Sequence, residues 1–372
     1  MKTILLFVGS LLPAILFAQN NVYTVSNVPG VTANYATLQG ALDSVPNGSV
    51  LYLFPSNLTY GSGIVRKKVV IYGNGILLDQ NGPPTTNPDT YGVDIQYLDI
   101  KQGGSNSYIE GVQFNALGFA QVPNVPTATP LQIDSALNVI ISRCAFYPHG
   151  GGYSVTTTTT YNCIIRDSYF DLAESGEGNS AFVLNDNNSN STALQFTNNI
   201  ITNRRTYMSF ICYNIVAHSD ITFTNNTIVA VLAGSNFQNM KFVNNIFYNT
   251  DTTRDPTPAS IEMNGDEIHN NITNSKMLFD STSLNYLKAN PDSMFAYGTF
   301  GFHSEDQQWQ LQAGSFANTY GTGGIACGAY GGLTPYTLSG IPNLPNIYSV
   351  AIAPDAKTVG HVLVHIKAKA SN

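Results

Sequence analysis

The feature that most constrains this chain is a short phrase that returns at uneven intervals. An alternating apolar strand is followed by two polar residues and then by a second apolar stretch. It reads Ala193-Leu-Gln-Phe-Thr-Asn-Asn-Ile-Ile201, Ile221-Thr-Phe-Thr-Asn-Asn-Thr-Ile228 and Met240-Lys-Phe-Val-Asn-Asn-Ile-Phe247, with a shorter copy at Ile268-His-Asn-Asn-Ile272. Degenerate copies precede it at Ile109–Phe114, Ile141–Phe146 and Ile165–Phe170. The first polar member falls at positions 111, 143, 167, 198, 225, 244 and 270, so the steps are 32, 24, 31, 27, 19 and 26 residues. Repeat arrays built of helices hold their period almost constant. A fixed phrase at variable spacing is instead what coils of a β-solenoid give, because each coil needs the same strands and corner but tolerates different loops.

The phrase has a physical cause. Pairs such as Leu194 and Phe196, or Ile221 and Phe223, lie two apart and so share one face of a strand. At the corner, Asn tolerates left-handed backbone angles and bonds readily to main chain. Identical residues stacked about 4.8 Å apart can also hydrogen-bond to one another along the axis. The expected ladder runs Ser168, Asn199, Asn226, Asn245, Asn271, with Cys144 in the same register.

The ends of the repeat are also marked. Tyr35 to Pro46 reads as a short amphipathic helix with Leu38, Ala41, Leu42 and Val45 on one face, suited to cap an open first coil. It is followed by Pro46-Asn-Gly48, a strand, and the glycine-bounded Val69-Val-Ile-Tyr-Gly-Asn-Gly75. Near the other end stand Trp309-Gln-Leu-Gln-Ala-Gly-Ser315 and Gly328-Ala-Tyr-Gly-Gly332. In these segments the chain resembles the pectate-lyase-like β-helix superfamily over about residues 22–335, with Phe316 where the closing segment commonly has proline. The expected fold is therefore all-β, a right-handed parallel β-helix with an N-terminal capping helix and a short C-terminal β segment. Residues 1–18 read as a signal peptide, with Lys2 ahead of an apolar run too short to span a bilayer. Residues 19–335 form the solenoid, and residues 336–372 a Pro-rich linker with two alternating strands. A secreted or cell-surface protein follows, with no transmembrane segment in the mature chain and a monomeric state expected.

Composition narrows the function. Charged residues make up 10% of the chain and the net charge is −7, which argues against nucleic acid as a partner. Cys144, Cys163, Cys212 and Cys327 are unevenly spaced, fitting buried thiols better than a disulfide framework or a zinc site. The resemblance implies a polysaccharide partner. It implies lyases that use an Arg or Lys base with Ca²⁺ held by carboxylates, or hydrolases that use paired Asp residues.

The densest acidic group is Asp167, Asp171, Glu174 and Glu177, with Arg143 one coil earlier in the register of Asp167. Arg143, Asp167 and Asp171 are candidate catalytic residues, and Asp167, Asp171 and Glu174 candidate Ca²⁺ ligands. Tyr147, His149, Tyr169, Arg204 and Arg205 are candidate substrate contacts. Each has a plain structural alternative, as an ion pair, a solvated turn or a packed aromatic. Since no full catalytic set aligns, a non-catalytic glycan-binding or surface role, needing no cofactor, stands slightly ahead. The alternative is a Ca²⁺-dependent lyase acting on uronates, or a glycoside hydrolase.

Overall fold

The computed structural model describes residues 21–81, 91–115, 129–148, 153–172, 182–185, 191–203, 212–213, 220–230, 237–238, 240–251, 253, 263–264, 267–276, 284–296, 304–352 and 364–370. The proposed signal peptide lies outside them, as do His149, Glu174, Arg204 and Arg205. Among the described residues no helix is long and apolar enough to cross a membrane.

The strands form three long sheets of ten, eight and six strands, and every pairing within them is parallel. Successive turns of chain visit the first sheet, the second and the third in that order. One such turn is Ile140–Ser142, Ala145–Tyr147 and Tyr153–Thr158. The chain is a right-handed parallel β-helix.

The helix Leu38–Ser44 closes its first coil. The Thr37 side chain accepts a bond from the Gly40 amide, and Leu38, Ala41 and Leu42 turn inward.

The two-residue corner between the first and second sheets explains the repeated phrase. Gly111, Arg143, Asp167, Asn198, Asn225, Asn244 and Asn270 all have positive φ, between 52° and 73°. This left-handed step redirects the chain without spending further residues. The residue that follows points inward. Asn199, Asn226, Asn245 and Asn271 are fully buried, and each amide side chain donates to the Oδ1 of its neighbour, Asn226, Asn245, Asn271 and Asn285 in turn, at 3.0–3.1 Å. Ser168 and Cys144 continue the file through main-chain donors. A second, exposed file runs along the corner from the third sheet to the first, where Asn162 donates to Asn138 and Asn138 to Asn106.

From the coil of Ile109 to that of Phe223 the interior takes one large ring per coil, and the next coil takes two, Phe242 and Phe247. Where the first sheet contributes Ile109, Ile141 and Ile165, the second contributes Phe114, Phe146 and Phe170, stacked at 5.0 and 4.4 Å. The roles then exchange. Phe196 and Phe223 of the first sheet, stacked at 4.7 Å, face Ile201 and Ile228 of the second. Only so much volume fits between sheets packed at crystal-like density, so ring and branched chain alternate sides.

The second sheet is buried on both faces. Its outward Tyr169, Ile200, Ile246 and Ile272 pack with Met294, Phe295, Trp309, Ala317 and Tyr336 of the C-terminal region. From there the chain runs back along the solenoid as a strap over the corner file. Asn270 donates to the Tyr320 carbonyl, Asn244 accepts from the Thr322 amide, and Asn225 donates to the Ala326 carbonyl. Asn198 donates to the carbonyls of Ala329 and Gly331, and Arg143 to that of Ile341. The strap reaches Gly111, where a Cβ would come within 2.5 Å of Pro342. Residues 336–343 are thus laid on the solenoid. Beyond them Pro345–Ile352 and Val364–Ala370 pair as an antiparallel hairpin. Cys144, Cys163 and Cys327 are buried free thiols.

Two outcomes are expected. Asn226→Ala removes an acceptor shared by two Asn199 donors and leaves them buried, costing about 2–3 kcal/mol as read from denaturant unfolding. Ile165→Phe alone overpacks its coil and costs about 1–3 kcal/mol. Adding Phe170→Ile restores most of that loss, a coupling that a double-mutant cycle measures.

Candidate functional site

The three outer faces of the solenoid differ. The second is covered, and the first is apolar at one end and bordered by the strap along its corner with the second. The third carries a continuous polar surface. Alternation there sends Leu98, Ile100, Leu131, Ile133 and Val155 into the core. The opposite face of the same strands therefore holds Tyr97, Asp99, Gln132, Asp134, Thr156 and Thr158. Register places Asp99, Gln132, Thr156 and Asn185 in one file across four coils. The segments that enter this sheet include 116–128, 149–152, 173–181 and 204–211, all outside the described residues.

Two neighbouring coils bring charge together. Lys101 Nζ lies 2.8 Å from Asp99 Oδ2 and 2.9 Å from Asp134 Oδ2. The Tyr97 hydroxyl donates to Gln132 Oε1 at 2.9 Å and also lies against the Asp99 carboxyl.

The two carboxyls are not equivalent. Asp99 is 6% exposed, and burial raises its pKa above the usual carboxylate value despite Lys101. Its Oδ1 is buried with no hydrogen-bond partner. Asp134 is more open, and its bond to Lys101 lowers its pKa. Burial works against the Lys101 ammonium, but the bonds to Asp99 and Asp134 outweigh it and raise its pKa. Burial, with Asp99 and Asp134 nearby, raises Tyr97. The cluster thus offers one carboxyl biased toward the protonated form beside one biased toward the ionised form. Such a split separates an acid from a base.

The residues singled out from sequence lie elsewhere. Arg143 and Asp167 are neighbours in the left-handed corner file, 9% and 5% exposed. Besides its bond to Ile341, Arg143 lies 3.2 Å from Glu110 Oε1 in the preceding coil. Asp167 lies 4.0 Å from Arg166 Nε, and its Oδ1 is buried without a hydrogen-bond partner. Burial first, with Glu110 adding and Arg166 and Arg143 opposing, pushes Asp167 up to about 7. Asp171 is 7% exposed at the end of a second-sheet strand. Tyr169 is fully buried beneath the C-terminal region, its hydroxyl 3.2 Å from Thr202 Oγ1, and Tyr147 is partly buried against the same cluster.

Among the described residues no three His, Cys, Asp or Glu side chains come together to hold a metal ion. Asp167 and Asp171 alone do not supply the roughly six to eight oxygens that Ca²⁺ takes. Sequence reading missed Tyr97, Asp99, Lys101 and Asp134. Their signal was alternation in Tyr97-Leu-Asp-Ile-Lys101 and Leu131-Gln-Ile-Asp134, two segments without the asparagine corner that drew attention elsewhere.

No family model matches this chain, and no curated protein matches it. Among solved structures it is similar to a mutant of an alginate lyase from polysaccharide lyase family 6. The identity is 13% and the TM-score 0.37, over 73% of this chain and 44% of that one. This chain thus spans less than half the length of that neighbour.

One pH effect follows from Asp167. A carboxyl raised in the folded state favours folding at low pH, and that contribution is lost as pH climbs from the ordinary value of 3.8 through about 7. Asparagine suits the same left-handed corner, as Asn198 and Asn225 show. Asp167→Asn is expected to change thermal stability little at pH 4 and to raise it at pH 8, as followed by melting curves across that range.

Proposed function

We propose that this protein is exported and binds an extended polysaccharide along the outer face of the third sheet. The observation that carries this reading is the file Asp99, Gln132, Thr156, Asn185, polar in four successive coils at the strand spacing of about 4.8 Å, with Gln132 and Thr156 partly exposed between the buried Asp99 and Asn185. Amides, hydroxyls and carboxylates are the groups that satisfy sugar hydroxyls, and Tyr97 beside them adds an aromatic body. The local charge, two carboxyls against Lys101, and the net charge of −7 favour an uncharged glycan over a polyuronate. Calorimetric titration with soluble neutral and uronate polysaccharides tests this. Binding to a neutral polymer is expected, weakened about tenfold, or about 1.4 kcal/mol, by Gln132→Ala with Thr156→Ala. Binding that is indifferent to those two changes would count against this face.

The unequal carboxyls favour a second reading, glycoside hydrolysis. Asp99, whose pKa burial raises, would donate to the glycosidic oxygen. Asp134, kept ionised by Lys101, would act on the opposite side of the sugar as base or nucleophile. Activity would then follow a bell in pH, limited below by protonation of Asp134 and above by ionisation of Asp99. Release of reducing ends should fall at least about a hundredfold in Asp99→Asn while binding persists. Binding without turnover on any polymer would leave the non-catalytic role. The lyase alternative, with Arg143, Asp167, Asp171 and Glu174, has less support because Arg143 is engaged by Ile341 and Glu110 while Asp167 is buried. Ca²⁺-dependent ultraviolet absorbance from unsaturated uronates would revive it.

A further inference from the structure

The outer face of the first sheet changes character halfway along the solenoid. One register file reads Val22, Val50, Val70, Tyr108, Ile140 and Ile164 through its first six coils. The same file continues as Gln195, Thr222, Lys241 and Glu267. The polar half is what a solvated sheet face shows. In the apolar half Val22 is 45% exposed, and the five residues after it are only partly buried. A contiguous apolar row of this length on the outside of a sheet marks a docking surface.

The strap ends at the edge of this row. Ile341 is bound to Arg143, Pro342 rests on Gly111, and the Asn343 backbone lies in hydrogen-bonding position to Glu110, which is adjacent to Tyr108 and Ile140 in the sheet. The hairpin begins two residues later, at Pro345. Its pairing register separates its residues into two sets. One set contains the pairs Ile347 with Ala368, Val350 with Ile366 and Ile352 with Val364. The other contains Asn346 with Lys369, Ser349 with Lys367 and Ala351 with His365. The first set is wholly apolar, and the second is polar or basic except for Ala351. A two-stranded hairpin is marginal alone in water and needs a surface on which to bury such a face.

We propose that the C-terminal hairpin docks its Ile347, Val350, Ile352, Val364 and Ile366 set onto the apolar row of the first sheet between Val70 and Ile164. The occupant is this chain's own C-terminus, because the strap already delivers it to that row and the row turns polar in the coils away from the strap's end. The docked hairpin would complete the cover of the N-terminal coils. This inference is independent of the glycan reading, since it uses a different sheet.

Hydrogen exchange on the full chain, read by mass spectrometry, tests it. Amides of 364–370 should exchange at least about tenfold more slowly than in an unstructured segment. The pair Ile140→Asp and Ile164→Asp should abolish that protection, while amides of 221–224 and 240–243 remain protected and report an intact solenoid. The reciprocal pair Val350→Asp and Ile366→Asp leaves the solenoid untouched, and should raise binding of an apolar dye severalfold. Fast exchange of 364–370 in the wild type would overturn the proposal. So would protection that survives both aspartates in the row, or an unchanged dye signal in the hairpin variant. Protection that disappears on dilution together with a halving of the mass by light scattering would assign the row to a second copy, and would also overturn it.

Discussion

The left-handed corner between the first and second sheets is the constraint on which the rest of the molecule depends. A residue at positive φ turns the chain sharply, its own amide bonds to the next coil, and the following residue drops into the core. The side chain of the corner residue itself is left outside, and in most coils it is what holds the strap. The same two positions therefore stack the coils from within and fasten the C-terminal region from without. An unpaired amide in either role would carry a desolvation cost, so each coil is pinned in register by groups that have nowhere else to bond.

That double use decides which surfaces remain open. The strap and the segment before it consume the outer face of the second sheet and hold Arg143 at the edge of the first. The strap does not run over the third sheet, and there the alternation of strand residues places two carboxyls on one ammonium. The candidate site is thus a consequence of where the chain returns, as much as of which residues it carries.

Much of the fold was legible because the corner has a strict chemistry. Asn198, Asn225, Asn244 and Asn270 announce themselves, and even Gly111, Arg143 and Asp167 hold the position with the same positive φ. The capping helix was equally plain from Leu38, Ala41, Leu42 and Val45. The site was less legible, because charge was read as a sign of chemistry in a charge-poor chain. Arg143 and Asp167 are conspicuous in sequence, yet Arg143 is bonded to a segment 198 residues further on, a contact that no local pattern announces, and Asp167 is buried in the same corner file beside Arg166. Asp99, Lys101 and Asp134 were hidden for the opposite reason. Their strands carry ordinary alternation, and their meeting depends on a coil length that only the stacked structure reveals.

The strap also sets an order of events. Glu305 reaches Gln80 across 225 residues, and Ile341 reaches Arg143 across 198. The coils can stack progressively from local contacts as the chain emerges, but the longest loops close only once the C-terminal region is present. Until then the outer face of the second sheet, with Tyr169, Ile200 and Ile246, stands bare. A chain halted before Met294 would hold a nearly complete solenoid with a long sticky flank, so its hazard is aggregation rather than unfolding.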